Sequence, residues 1–306
     1  MDEKRNKLVI IGNGFDLAHG LKTSYTDFIK TITAELIKEN SRFYHVLIEN
    51  NKFLNWVDIE SEYYRQLTKI YKDAIYYDYY NSDKSSLLEL NRHFNFLKNR
   101  LETYLAQVDY SVVNQHINNL FQLSYSVGFD SETGNKKVHF LNFNYTNTLD
   151  KYIGKYLNHE VNYIHGQLNN PANPIIFGYG DETDEYYKKF EDLNINEFLA
   201  HFKSFGYFRT PNYRNLLSFI NSERYDVEIL GHSCGLSDRV MLSTIFEHDN
   251  CHTIKIHYYK WGAGMNENDF TSKTQEISRH FKDKAKMRDR IVDFTKCKPL
   301  TPFKQP

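Results

Sequence analysis

The chain has little cysteine: Cys234, Cys251 and Cys297 are all it contains. An odd number without metal-ligand spacing argues against a disulfide framework and a thiolate metal centre, and points to a reducing compartment. An excess charge is equally lacking. Lys and Arg total 38 against 39 Asp and Glu, so no bulk positive field draws the protein onto a nucleic-acid backbone. No run approaches the roughly 20 apolar residues that cross a bilayer. The charged start Met1-Asp2-Glu3-Lys4-Arg5-Asn6-Lys7 holds no apolar segment of a signal peptide. The expectation is a cytoplasmic protein with no membrane segment and no strong nucleic-acid signal. Long Pro, Gly or Ser linkers and periodic repeats are missing too, so no clean domain boundary stands out.

What is there reads as a globular protein of 306 residues, 41% hydrophobic and 25% charged, long enough for one large domain or two modest ones. Aromatic residues reach 16%, which core and interface packing accounts for. Leu8-Val9-Ile10-Ile11 is a continuous aliphatic run ended by glycines, the pattern of a strand buried on both faces of a parallel sheet. Phe28, Ile29, Ile32, Leu36 and Ile37 then recur at helical spacing, so strand, glycine loop and helix follow in order. Residues of about 56–125 read as a helical insertion, clearest at Leu90, Phe94, Leu97, Leu101 and Leu105. Strand signals return at Lys137-Val138-His139-Phe140-Leu141-Asn142-Phe143, after a turn at Thr133-Gly134-Asn135. They recur at Val161–Ile164, Asp226–Leu230 and His252–Tyr259, with a further short extended piece at Pro174–Phe177. The stretch of about 184–222 reads as helices that could cover a site, and the tail as helical and polar. The expected fold is a single Rossmann-like α/β domain over residues 1–306, its mostly parallel sheet flanked by helices on both faces and interrupted by the helical insertion.

Several strands end in loops rich in Gly, Asn, His, Ser or Asp, and ligands of open parallel sheets sit outside those carboxyl ends. In Gly12-Asn13-Gly14-Phe15-Asp16 the glycines permit a tight turn and close approach of amides to a phosphate. The spacing, with Gly20, is neither the dinucleotide fingerprint nor a Walker loop, and a ligand-free turn is the competing reading. Asn144 offers an amide to a ribose hydroxyl or a water, or else a helix N-cap. His165, before Gly166, suits a general base near neutral pH. Gly231 and Ser233 suit an adenosine contact, and Asp238 a helix cap or a ribose hydroxyl. The letters Gly231-His232-Ser233-Cys234-Gly235 also fit the hydrolase elbow, although His248, His252 and His257 lie too early for that chain order. Those histidines and His232 make no metal-ligand spacing, so no metal site is expected.

Together, Leu8 to Tyr25, Phe143-Asn144-Tyr145-Thr146-Asn147-Thr148-Leu149, Ile164-His165-Gly166 and Gly231-His232-Ser233 with Asp238 resemble the AbiH-type bacteriophage abortive-infection proteins nearly end to end. That family is similar to sirtuins and to sirtuin-like NAD-consuming domains of antiphage systems, with a glycine loop, an Asn-bearing strand end and a His-Gly in the same order. The resemblance implies Gly12, Gly14 and Asp16 at the NAD phosphates and ribose, Asn144 and His165 as catalytic residues, and Gly231 and Ser233 at the adenosine half. Asn13, Asp16 and the lack of a four-cysteine zinc module depart from sirtuins and argue against peptide deacetylation. Asp16 is better placed on the nicotinamide ribose or a water than on phosphates, which would repel it. The implied function is hydrolysis of NAD, as substrate and not as a true cofactor, to nicotinamide and ADP-ribose, held in check by homo-oligomerisation or a phage-derived trigger. The alternatives are a non-enzymatic sensor of NAD or ADP-ribose and, further off, a hydrolase of another nucleotide or of nucleic acid.

Overall fold

Asn6–Ile11 forms the first strand, β1, in the computed structural model of the protein, which describes residues 5–39, 56–76, 84–125, 137–153, 159–179 and 182–301. Leu8 to Ile11 are wholly buried, as a strand covered on both faces requires. The chain continues through α1 (Asn13–Leu17), α2 (Tyr25–Lys38), α3 (Trp56–Tyr76), α4 (Ser85–Ala106) and α5 (Gln115–Tyr125) before β2 (Val138–Asn142) and β3 (His159–Tyr163). Next come α6 (Tyr187–Asp192), α7 (Lys203–Gly206), α8 (Asn212–Ser222), β4 (Tyr225–Leu230), α9 (Arg239–Glu247) and β5 (Cys251–Tyr258). The described chain closes with α10 (Phe270–Ser278), α11 (Lys284–Arg290) and the two-residue β6 (Lys298–Pro299). The strands form one sheet in the order β3-β2-β1-β4-β5-β6, every pairing parallel. This is a Rossmann-like α/β fold.

The described residues fall into two compact units. The first, of residues 1–21, 109–175 and 210–306, holds the sheet. Successive strand residues face opposite ways, and β2 illustrates it. Phe140 packs with Phe121 and Tyr125 of α5 in a cluster that also takes Val9, Ile11 and Phe15. His139 instead faces Phe219 of α8, at 4.8 Å between ring centroids. Helices therefore cover both faces. On the α5 face the buried Glu228 carboxylate takes Lys7 Nζ at 2.9 Å, His257 Nε2 at 2.9 Å and the Tyr125 hydroxyl at 2.8 Å. These partners hold its carboxyl well below the usual range against the opposing effect of burial.

The second unit, residues 22–108 and 176–209, is helical. Much of the aromatic content packs its core: Phe94 stacks on Phe177 at 5.0 Å, and Tyr64 on Tyr179 at 4.6 Å. A buried ion pair joins Glu60 and Lys203 at 3.0 Å. The helical stretch expected over about 56–125 thus divides, with α3 and α4 in this unit and α5 on the sheet.

Other expectations need correction. Pro174–Phe177 joins no ladder, although Ile175 to Phe177 are buried; their burial is what made them read as a strand. The expected cover of about 184–222 divides too. Its last helix, α8, packs against the sheet, with Asn212 Nδ2 donating to Tyr163 O at 2.8 Å. The tail contributes β6 as well as helices. The turn at Thr133-Gly134-Asn135 lies outside the described residues.

Candidate functional site

The strand register puts Ile11 beside both Asn142 and Leu230, and Asn142 beside Tyr163. The residues that follow these four emerge together at one edge of the sheet. There the chain order reverses between β1 and β4, the switch point at which open parallel sheets form a crevice.

Gly12 and Gly14 meet the loop after β4. A Cβ on Gly12 would fall 2.5 Å from His232 Cα, and one on Gly14 2.8 Å from Gly231 Cα. Gly231, at φ +73°, would carry its own Cβ to 2.2 Å from the Phe15 nitrogen. Glycine here admits the close approach of two loops of the same chain. Gly12 N–H donates to Leu230 O at 3.1 Å, Gly14 N–H to Gly231 O at 2.8 Å and Phe15 N–H to Gly12 O at 2.8 Å. These amides are engaged within the protein, which narrows the expected phosphate cradle.

Phe15 is also corrected. Its side chain is wholly buried against His19, Phe121 and Tyr152 and belongs to the core, not to a ligand surface. His19 beside it is structural. Its Nδ1 donates to Phe15 O at 2.6 Å, and the Tyr152 hydroxyl donates to Nε2 while accepting from Asn114 N–H at 2.7 Å. Burial lowers the imidazole pKa, in keeping with this neutral tautomer.

Asp16 faces the end of β2. Its Oδ2 accepts from Thr146 Oγ1 at 2.7 Å, while Oδ1 is buried and meets no donor in bonding geometry. Burial raises the carboxyl pKa to about 6, offset in part by the nearby Thr146, Thr148 and Asn144 side chains. A buried carboxylate oxygen without a donor is unfavourable, and a ribose hydroxyl or a water would supply one. Asn144 caps no helix. Its backbone N–H donates to Asn142 Oδ1 at 3.0 Å and its Nδ2 to Gly12 O at 3.1 Å, fastening β2's end to the glycine loop.

His165 Nε2 lies 3.1 Å from Asp238 Oδ1, and His232 Nε2 lies 3.9 Å from Oδ2 of the same carboxylate. Asp238 sits at the N-cap position just before α9 yet makes no side-chain cap bond, its carboxylate facing the histidines instead, so the expected cap is corrected. Phe143 packs edge-on against His165 at 4.9 Å and tilted against His232 at 4.2 Å. Gly166, at φ +87°, makes the turn after His165. The loop after β4 is held by Lys273 Nζ on His232 O at 2.9 Å and His280 Nε2 on Cys234 O at 2.8 Å.

Ser233 is exposed in that loop, and the left-handed non-glycine residue there is Cys234, at φ +56°. A nucleophile elbow would place that strain at the serine. Cys234 is no substitute nucleophile, because burial pushes its thiol up to about 12. The structure thus brings Gly12, Gly14, Asp16, Asn144, His165, Gly231 and Asp238 to one edge. It adds Phe143, Thr146 and His232, which follow strand ends within the motifs quoted above, and Lys273 of α10, which nothing in the sequence singled out. Among the described residues no cluster of His, Cys, Asp or Glu could hold a metal ion, and no helix is long and apolar enough to cross a membrane.

A doubly wound parallel sheet with polar side chains gathered at its switch point, the place where such folds take ligands, defines a Rossmann-like protein. Residues 8–260 match the family described as bacteriophage abortive infection AbiH, and the chain belongs to that family. Membership supports an antiphage, abortive-infection role. Among curated proteins no relative matches the sequence.

Proposed function

We propose that the crevice binds NAD and hydrolyses its nicotinamide–ribose bond to give nicotinamide and ADP-ribose. The observation that carries this reading is the gathering of Asp16, Asn144 and the His165–Asp238 pair, all buried, from separate strand ends at the switch point. The order of glycine loop, Asn144 and His165-Gly166, which resembles that of sirtuin-like NAD-consuming domains, supports NAD as the substrate.

Cleavage builds positive charge on the ribose as nicotinamide departs with the bonding electron pair. Asp16, ionised above about pH 6, supplies negative charge and an open acceptor for a ribose hydroxyl. Asn144 orients the ribose or the water. The water oxygen forms the new bond, and its proton passes to His165. Lys273, at the carbonyl of His232, supplies positive charge for the phosphates. Loss of NAD would end phage growth together with the infected cell, giving the abortive outcome a chemical cause.

Nicotinamide release by the purified chain tests this, with NAD binding followed by calorimetry. Asn144→Ala and His165→Ala are each expected to lower kcat by roughly 100-fold or more with binding retained. Wild-type binding without turnover, even with infected-cell lysate added, would make the protein a sensor. Neither binding nor turnover would remove NAD from the account.

A further inference from the structure

We propose that Asp238 is the positioning carboxylate of His165, setting its ring with the Nε2 proton toward the carboxylate and the basic lone pair on Nδ1. This rests on the reading that His165 accepts a proton.

The arrangement is fixed by local chemistry. Cys234 N–H donates to His232 Nδ1 at 3.0 Å, so that nitrogen is an acceptor and the proton of the neutral His232 ring is on Nε2. This Nε2–H faces Asp238 Oδ2 at 3.9 Å, where Ser237 Oγ also donates at 3.3 Å. The other carboxylate oxygen, Oδ1, faces His165 Nε2 at 3.1 Å. A carboxylate can only accept, so His165 must carry its proton on Nε2. The left-handed turns at Gly231 and Cys234 and the anchors from Lys273 and His280 fix the loop that carries His232. Phe143 contacts both imidazoles and limits their rotation. A base oriented by a third group is the general form of such a pair.

The test uses the full chain. Nitrogen NMR of the histidine rings, at a pH where His165 is neutral and with its signals assigned by their loss in His165→Ala, reads the tautomer directly. The expected result is a protonated Nε2 in the wild type and a mixture of tautomers in Asp238→Ala. A wild-type His165 protonated on Nδ1 overturns the proposal whether or not NAD is cleaved. In turnover, Asp238→Ala is expected to lower kcat roughly 10- to 100-fold with KM within about threefold. Asp238→Asn, which keeps an acceptor but not the charge, should recover part of that loss. In a His165→Ala background Asp238→Ala should cost nothing further; an equal loss there would mean that Asp238 acts on its own and also overturns the proposal. If Asp238→Ala does not fold, the wild-type tautomer and the Asp238→Asn rate decide. Wild-type chain that releases no nicotinamide removes the hydrolase reading alone, because the tautomer measurement still stands.

Discussion

Asp16 shows how the burial of a single side chain can cost the fold stability. Its folded pKa of about 6 lies above the model-compound 3.8, so the folded state binds the proton more tightly than the unfolded one. Stability on this account falls as pH rises from about 4 to about 6, and the penalty is complete above that. Asp16→Asn is therefore expected to gain about 2–3 kcal/mol near pH 7.5, from about 1.4 kcal/mol per pKa unit, while turnover of NAD is lost. Urea unfolding of both chains at pH 7.5 and pH 4 measures it; a gain that does not shrink at the lower pH would place its origin elsewhere. The place of Asn144, His165 and Asp16 could be read from the sequence because a polar residue shortly beyond an apolar strand comes out at that strand's carboxyl end. The pairing of Asp238 with His165 could not, because it forms across several strands of the sheet, and Phe15 turned to the core, where it packs with His19, Phe121 and Tyr152.

At the scale of elements, the contact between the glycine loop and the loop after β4 is backbone on backbone, so a methyl group has nowhere to go. Gly231→Ala is expected to cost more than about 3 kcal/mol, combining the left-handed φ with a clash against the Phe15 nitrogen. Gly20→Ala is the control: Gly20 has φ +76° but open space around it, and only the conformational cost of about 1–2 kcal/mol should appear. Equal losses in thermal or urea unfolding would dismiss the close approach as the reason for glycine. β1 was legible because burial on both faces leaves the unbroken apolar run Leu8 to Ile11, and β5 because its apolar and polar residues alternate. Pro174–Phe177 shares that burial without a ladder, and β6 is a two-residue edge strand whose pairing leaves no pattern. The division of the helical segments between units escaped because helical periodicity records that a face is buried and not what buries it.

Across the whole molecule, buried histidines outweigh Asp16 in setting the response to acid. Burial lowers His139 of the first unit and His201 of the second to about 4 each. The unfolded chain, with histidine near 6.5, binds those protons first, so stability present above pH 6.5 is lost as pH falls toward 4. His19, His248 and His280 shift the same way. With Asp16 opposing, unfolding in urea should show a net loss of roughly 2–3 kcal/mol between pH 7 and pH 5. Unchanged stability over that range would mean that these rings find partners when protonated. The contact of Gly12 with His232 has a different consequence, in the order of synthesis. β1 leaves the ribosome with its neighbour β4 still unmade, and both helical segments must be translated before the loop after β4 can close on it. A growing chain therefore carries an apolar strand with one edge unpaired until β4 is made, and Gly12, Asn144, His165 and Asp238 do not come together until translation has passed the loop after β4.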